Sequence, residues 1–224
     1  MVLVAAGRGV RAGGGVPKQF RAVAGTPLVI RALDAFLRHA AVLHVSLVVP
    51  DAAIAAPPSW LLLSDPRVVL VAGGAERSDS VRLGLAALPA GCDVVLVHDA
   101  ARPFVPRDLI DRVITVARTG QGAVPALPVS DTIKRAAGEP PYIETTVPRE
   151  GLWRVQTPQG FPRAALEAAH RAAPSAHAGA TDDAALVERS GLAIRLVAGS
   201  AFNIKVTTAD DFAVAELLAP GAPP

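Results

Sequence analysis

Five apolar runs of strand length, separated by stretches with helical spacing, constrain this chain more than any other feature. Val2–Ala5, Val42–Val49, Val68–Val71, Val94–Val97 and Ala123–Leu127 read as strands, most of them rich in valine or other β-branched residues. Between them, Pro27–Ala40, Ser78–Leu88 and Pro106–Thr119 read as helices, two of them opening on proline. This rhythm predicts an α/β three-layer sandwich, with a mostly parallel central sheet, helices on both faces and right-handed crossovers. Ligands of such sheets sit outside the carboxyl ends of the strands.

The rhythm breaks at Pro128. Residues Val129–Val147 are polar and extended, with Gly138-Glu139-Pro140-Pro141 as the turn of a β-hairpin that projects from the body. A lone hairpin is marginal in water, so it is expected to pack on something, a second subunit being one candidate. Helices resume at Pro162–Ala173 and Asp182–Ser190, followed by a strand at Ala193–Val197 and a last helix at Ala209–Leu218. With 224 residues, 51% of them hydrophobic, and no internal repeat or linker, residues 1–224 are expected to form one domain. The tail Pro220-Gly221-Ala222-Pro223-Pro224 suits no regular structure.

Composition excludes several classes. The formal net charge is only +2, and no basic run interleaved with aromatics suggests a nucleic-acid groove. The single cysteine, Cys92, rules out an intrachain disulfide or a cysteine-based zinc site, and reads as structural ahead of a core strand. No apolar run reaches the roughly 18–20 residues of a membrane span. The amino terminus enters a strand without the pattern of a secretion signal, so a cytoplasmic location is expected.

The first strand runs into Ala5-Ala6-Gly7-Arg8-Gly9-Val10-Arg11 and then Gly13-Gly14-Gly15-Val16-Pro17-Lys18-Gln19-Phe20. A glycine loop after a strand lets backbone N–H groups approach an anion with no β-carbons in the way. Arg11 and Lys18 add two fixed positive charges, so the loop suits a polyphosphate. Gly7, Gly9 and Ala12 also satisfy the loose dinucleotide pattern G-x-G-x-x-G/A, but that pattern needs a helix opening at once on the glycines. Gly13–Gly15 and Pro17 prevent one. The acidic residue at suitable distance, Asp34, lies within a helical stretch instead of at a strand end.

Val94–Val97 leads into His98-Asp99-Ala100-Ala101-Arg102-Pro103. An acid at the carboxyl end of a buried strand is where an α/β enzyme places a metal-binding carboxylate, and Asp99 is a hard oxygen ligand suited to Mg²⁺. The competing reading is a strand-end aspartate capping a turn. Arg102 either contacts phosphate or braces the loop, and His98 reads as a packed, hydrogen-bonded side chain. A second glycine turn, Gly73-Gly74-Ala75-Glu76-Arg77-Ser78-Asp79-Ser80, leads from strand to helix. Its amides and the Ser80 hydroxyl are placed to read a nucleobase or ribose, while Glu76 and Asp79 suit a first helical turn.

Taken in order, Ala5-Ala6-Gly7-x-Gly9-x-Arg11 with Pro17-Lys18-Gln19, Gly74 to Ser80, His98 to Arg102, Asp131-Thr132, Thr157-Pro158-Gln159, Thr181-Asp182 and Asn203 to Thr207 span nearly the whole chain. The ordered set resembles the 2-C-methyl-D-erythritol 4-phosphate cytidylyltransferases of the non-mevalonate isoprenoid pathway. The resemblance implies a Rossmann-like fold of nucleotidyltransferase type, with the hairpin serving as a dimerisation arm. It implies CTP and methylerythritol phosphate as substrates, pyrophosphate as product, and Arg11 and Lys18 as transition-state stabilisers. CTP contacts would come from Ala5, Ala6, Gly7, Gly9, Arg11, Lys18, Gly74, Ser80 and Ala100. Asp99, Thr132, Arg149, Thr181 and Lys205 would hold the acceptor, with Thr132 and Arg149 reaching the neighbouring subunit's site in a homodimer. The chain departs from the family pattern at Ala75, where aspartate is frequent, and at Ala12, where methionine is common.

Other activities fit parts of the pattern. A ribitol 5-phosphate cytidylyltransferase shares the nucleotide half, and a sugar-phosphate nucleotidyltransferase would use UTP or GTP. From a different class, a catalytically silent nucleotide-binding module would keep the loop but show no turnover. The acceptor residues favour methylerythritol phosphate, and the presence of Arg11, Lys18 and Asp99 favours an active enzyme.

Overall fold

The computed structural model describes residues 1–7, 16–61, 64–172 and 181–219. The chain opens with β1 (Val2–Val4), and a short antiparallel pair, β2 (Ala22–Val23) and β3 (Thr26–Pro27), delivers it into α1 (Leu28–Leu37). There follow β4 (Val45–Val49), α2 (Asp51–Ala55), β5 (Val68–Ala72), α3 (Arg77–Ala86), β6 (Val94–Asp99), α4 (Arg107–Ala117) and β7 (Gly122–Pro128). The hairpin strands are β8 (Ile133–Ala137) and β9 (Tyr142–Val147). After them come β10 (Trp153–Val155), β11 (Gln159–Pro162), α5 (Arg163–Ala172), α6 (Asp183–Glu188), β12 (Ile194–Ala198) and α7 (Ala209–Leu218).

Among the described residues, eight strands form one sheet, in the order β12, β7, the β10–β11 segment, β6, β1, β4, β5. β1, β4, β5 and β6 are mutually parallel, as are β7 and β12, whereas β10 and β11 run antiparallel to their neighbours. The expected strands and helices form with shifted ends, β5, β6 and β7 running longer than expected and others shorter. Val42–His44 lies outside β4, and α1 stops at Leu37, short of the expected Ala40. Pro27 and Pro106 each stand just ahead of the first helical residue, where a missing N–H is harmless.

Side chains alternate between the two faces of the sheet, as a pleated strand requires. Leu3, Leu47 and Leu96 pack with Val29, Leu33 and Phe36 of α1 and with Leu109, Ile110 and Val113 of α4. Val2, Val48, Val95 and Val97 pack on the other face against Val81 and Leu85 of α3, Leu166 of α5 and Val187 of α6. A third cluster, with Val23, Leu28, Val206 and Phe212, seats α7 beside the carboxyl end of the sheet. β8 and β9 pair with each other, and Tyr142 and Ile143 on β9 are exposed. Cys92 is partly buried just ahead of β6. Among the described residues, no helix is long and apolar enough to cross a membrane.

Candidate active site

The carboxyl ends of β1, β5 and β6 border one cavity of about 450 Å³. Ala5, Ala6 and Gly7 line it from the β1 side, Gly74 to Arg77 and Ser80 from the β5–α3 turn, and Asp99 and Ala101 from β6. Lys18 and Lys205 reach it from distant parts of the chain. Of the residues expected to contact nucleotide, Ala5, Ala6, Gly7, Lys18, Gly74 and Ser80 therefore share one lining. Ala100 is fully buried behind it, its N–H bonded to the Val4 carbonyl at 3.0 Å, and Ala101 takes the lining position. Gly9 and Arg11 lie outside the described residues.

Gln19 fixes the approach to the loop. It is 3% exposed, and its amide donates to the carbonyls of Ala5 (2.6 Å) and Gly7 (2.8 Å). The adjacent Lys18 donates its Nζ to the Val206 carbonyl at 3.1 Å, tying the first loop to the segment that carries Lys205. On the opposite wall the β5–α3 turn comes close to Ala6. A β-carbon on Gly73 would lie 2.2 Å from the Ala6 Cβ, so only glycine allows this approach. Ser80 shapes the same turn, donating to the Glu76 carbonyl (3.1 Å) and accepting from the Gly74 N–H (3.2 Å). Asp79 accepts from the Glu76 N–H at 3.2 Å, the first-turn role expected of it.

Asp99 sits at the centre of the ionic network. Its Oδ1 accepts from Arg77 Nε at 3.1 Å and its Oδ2 from Lys205 Nζ at 2.8 Å. Burial alone would push its carboxyl up; the Arg77, Lys205 and Arg102 charges outweigh this and hold it well below the usual carboxylate range. Arg77 also donates Nη1 to Asp183 at 2.8 Å, and Asp183 accepts from His170 Nε2 at 3.1 Å.

The backbone of Asp99 is held as firmly. Its N–H donates to Thr157 Oγ1 (3.1 Å), which lies 3.0 Å from His98 Nδ1, while His98 Nε2 lies 2.9 Å from the Arg102 carbonyl. A carbonyl only accepts, so Nε2 carries the proton. The neutral ring then accepts at Nδ1 from the Thr157 hydroxyl, which in turn accepts from Asp99. Burial holds the His98 pKa down at about 4, so the imidazole is neutral and occupied on both nitrogens. Arg102 donates to the carbonyls of Asn203 (2.8 Å) and Val155 (3.4 Å), which resolves its open assignment in favour of bracing the loop.

The other residues expected to hold the acceptor are arranged differently. Thr181 is exposed immediately before Asp182, which caps α6 by accepting from Ala185 N–H at 2.9 Å. Thr132 and Arg149 are exposed beside the hairpin, and Arg149 Nη1 donates to the Ser130 carbonyl. None of these three lines the cavity of this chain. As for a metal, among the described residues no three histidine, cysteine, aspartate or glutamate side chains come together. Both oxygens of Asp99 already face cations. Mg²⁺ seeks six oxygens and commonly takes several from phosphate and water, so these residues do not form a resident metal cage.

Sequence reasoning missed Gln19, Arg77, Thr157 and Asp183 as organisers of the site. A weak signal existed for Arg77: a cation in the first turn of a helix opposes the helix dipole, so an arginine there calls for carboxylate partners.

A ligand cavity at the carboxyl edge of a mainly parallel sheet, bordered by a close-packed glycine turn and three cationic side chains, places the molecule among the doubly wound α/β ligand-binding proteins. Comparison with known proteins is more specific. The family model described as IspD, 2-C-methyl-D-erythritol 4-phosphate cytidylyltransferase, matches residues 1–219, and the chain belongs to this family. It is 43% identical over 221 residues to the 2-C-methyl-D-erythritol 4-phosphate cytidylyltransferase of Salinibacter ruber, covering 98% of this chain and 92% of that one. It is also 47% identical over 216 residues to a bifunctional IspD/IspF enzyme of Granulibacter bethesdensis, covering 96% of this chain and 54% of that protein. The chain thus spans about half the length of the bifunctional relatives it matches. The crystal structure of the Thermus thermophilus cytidylyltransferase superimposes with a TM-score of 0.80 at 40% identity, covering 97% of each chain.

Proposed function

We propose that this chain transfers a cytidylyl group from CTP to 2-C-methyl-D-erythritol 4-phosphate, giving 4-diphosphocytidyl-2-C-methyl-D-erythritol and pyrophosphate. The observation that carries this reading is one cavity, beside the glycine turn, that Lys18 shares with an ionised Asp99 paired to Lys205. A phosphate oxygen of the acceptor attacks the α-phosphorus of CTP in line. The bond from that phosphorus to the α–β bridging oxygen breaks, and pyrophosphate leaves with the bonding electrons. Positioning and charge stabilisation supply the catalysis, without a covalent enzyme intermediate.

In this reading the backbone of Ala5, Ala6, Gly7 and Gly9 cradles the triphosphate, and Lys18 and Arg11 stabilise charge developing on phosphorus. Gly74 and Ser80 frame the cytidine, with Ala100 packed behind the lining in support. Ser80 brings a lone pair rather than a free donor, because its hydrogen is given to the Glu76 carbonyl. Lys205 and Arg149 hold the acceptor phosphate, while Asp99, Thr132 and Thr181 bond its hydroxyls. Mg²⁺ would come with CTP and neutralise its phosphates, with Asp99 the carboxylate expected to face it. A homodimer formed through the β8–β9 arm would bring Thr132 and Arg149 to the partner's cavity, and the exposed Tyr142 and Ile143 suit such a contact. The reaction's soluble substrates suit a cytoplasmic setting, with neither nucleic acid nor membrane as partner.

The test is pyrophosphate release from CTP and Mg²⁺, with methylerythritol phosphate and ribitol 5-phosphate supplied separately. Release only with methylerythritol phosphate is expected. Release only with ribitol 5-phosphate would overturn the acceptor assignment, and CTP binding without turnover of either would indicate a silent nucleotide-binding module.

A further inference from the structure

The geometry points to Arg77 as a positioning residue for the acceptor: it keeps Asp99 fixed and charge-balanced while Lys205 leaves Asp99 to bind the acceptor's phosphate. This rests on the proposed transfer to a phosphorylated polyol. Asp99 has two cationic partners of different character. Arg77 is the more enclosed, with a side chain 29% exposed, and is anchored at its far end by Asp183, which is 1% exposed. Lys205 is 43% exposed, carries a flexible stem and borders the cavity. A phosphate entering the cavity competes for the exposed ammonium, not for the anchored guanidinium.

When Lys205 turns away, Asp99 Oδ2 becomes available to accept a hydroxyl hydrogen from the polyol. Arg77 still holds Oδ1, and the Thr157 hydroxyl still holds the backbone N–H. Arginine suits this task because its Nε and Nη1 serve two carboxylates at once from a planar, rigid group. Lysine could carry the charge but would have a single nitrogen for both. The position of Arg77 at the start of α3, against the helix dipole, is offset by the Asp99 and Asp183 charges.

The experiment compares wild type, Arg77→Met, Arg77→Lys and Arg77→Met/Asp183→Asn in pyrophosphate release, varying CTP and acceptor separately. The acceptor is whichever of methylerythritol phosphate or ribitol 5-phosphate wild type uses. The double variant guards against misfolding, because it removes the buried carboxylate that Arg77→Met alone would leave short of a cation. Arg77→Met is expected to lower kcat/KM for the acceptor by about 10- to 100-fold, the loss of one hydrogen bond between charged groups, while the KM for CTP stays within about threefold. The double variant should retain that acceptor defect, with Arg77→Lys between it and wild type. Equal losses for both substrates, or an acceptor kcat/KM restored to wild type in the double variant, would overturn the inference and leave Arg77 a structural partner of Asp183. Wild-type silence with both acceptors would overturn the inference together with the functional reading beneath it.

Discussion

Replacing Gln19 with methionine should loosen the Ala5–Gly7 segment and, on the proposed function, weaken CTP binding without disturbing the core. Methionine is close to glutamine in length and keeps the side chain apolar and packed, but it removes both amide donors. The two carbonyls left behind are unequal. Ala5 is 2% exposed, so its carbonyl loses a donor where water has poor access, while Gly7 is exposed and its carbonyl can turn to solvent. A buried polar group deprived of its partner costs about 1–3 kcal/mol, whereas an exposed one regains most of its bond from water. The expected loss of folding stability is therefore about 2 kcal/mol, or roughly 4–8 °C in Tm for a chain of this size. If the clamp also holds Ala5–Gly7 ready for the nucleotide, and the competent conformation drops to about one molecule in ten, CTP affinity falls about tenfold. Urea unfolding gives the first quantity and titration calorimetry with CTP the second. Gln19→Glu is the control: it is isosteric but faces the two carbonyl oxygens with acceptors, and should be the more damaging change. An unchanged unfolding midpoint and an unchanged CTP affinity in Gln19→Met would refute the clamp.

Lowering pH should destabilise the fold through His98, whose ordinary pKa of 6.5 is held at about 4 by burial. Between those values the unfolded chain binds a proton that the folded chain does not, so stability rises with pH across the window and is about 3 kcal/mol lower at its acid end. Urea unfolding at a series of pH values, without nucleotide or divalent ions, should show this slope, and His98→Gln should flatten it. Gly84→Ala should destabilise, although alanine is ordinarily the better helix former by about 1 kcal/mol. Its β-carbon would lie 2.5 Å from Val2 Cγ1 and 2.9 Å from Val48 Cγ2, an overpacking worth about 1–3 kcal/mol, and a rise in Tm would contradict this. Lys18→Ala should lower kcat by about 100-fold or more while CTP affinity changes far less, as for loss of one preorganised charge donor. Wild-type turnover in that variant would remove Lys18 from its assigned role.

The layered architecture is legible in the sequence because its cause is local. Valine-rich runs such as Val94–Val97 and helices announced by Pro27 or Pro106 carry their period within a few residues. β10 and β11 are not legible: three- and four-residue strands containing Gly160 and Pro162 are too short to display a period, and they exist because β6 and β7 offer open edges. The site divides along the same line. Lys18, Asp99 and the Gly73–Gly74 turn stand in readable local patterns, and Asp99 does lie at a strand's carboxyl end. Gln19, Thr157 and Asp183 act through partners 12 to 106 residues away, which no local spacing reveals. Thr132 and Arg149 are named through family resemblance alone, and their exposure in a single chain leaves their part in the site to the proposed dimer.

The β10–β11 segment has a consequence for how the molecule is made. β6 and β7 are joined through α4, yet they are not sheet neighbours; residues 153–162 lie between them. Most of the first half, from β1 to β6, can pair as it leaves the ribosome, since each new strand finds its partner already present. β7 cannot take its place in the sheet until the hairpin has been synthesised and the strand after it has arrived. During that interval β6 presents an open edge next to Asp99, and the Thr157 hydroxyl that will hold the Asp99 backbone has not yet been made. The site's central carboxylate is therefore fixed late, and a chain truncated before residue 157 would have the Ala5–Gly7 and Gly74–Arg77 walls of the cavity but not the hydroxyl that holds Asp99.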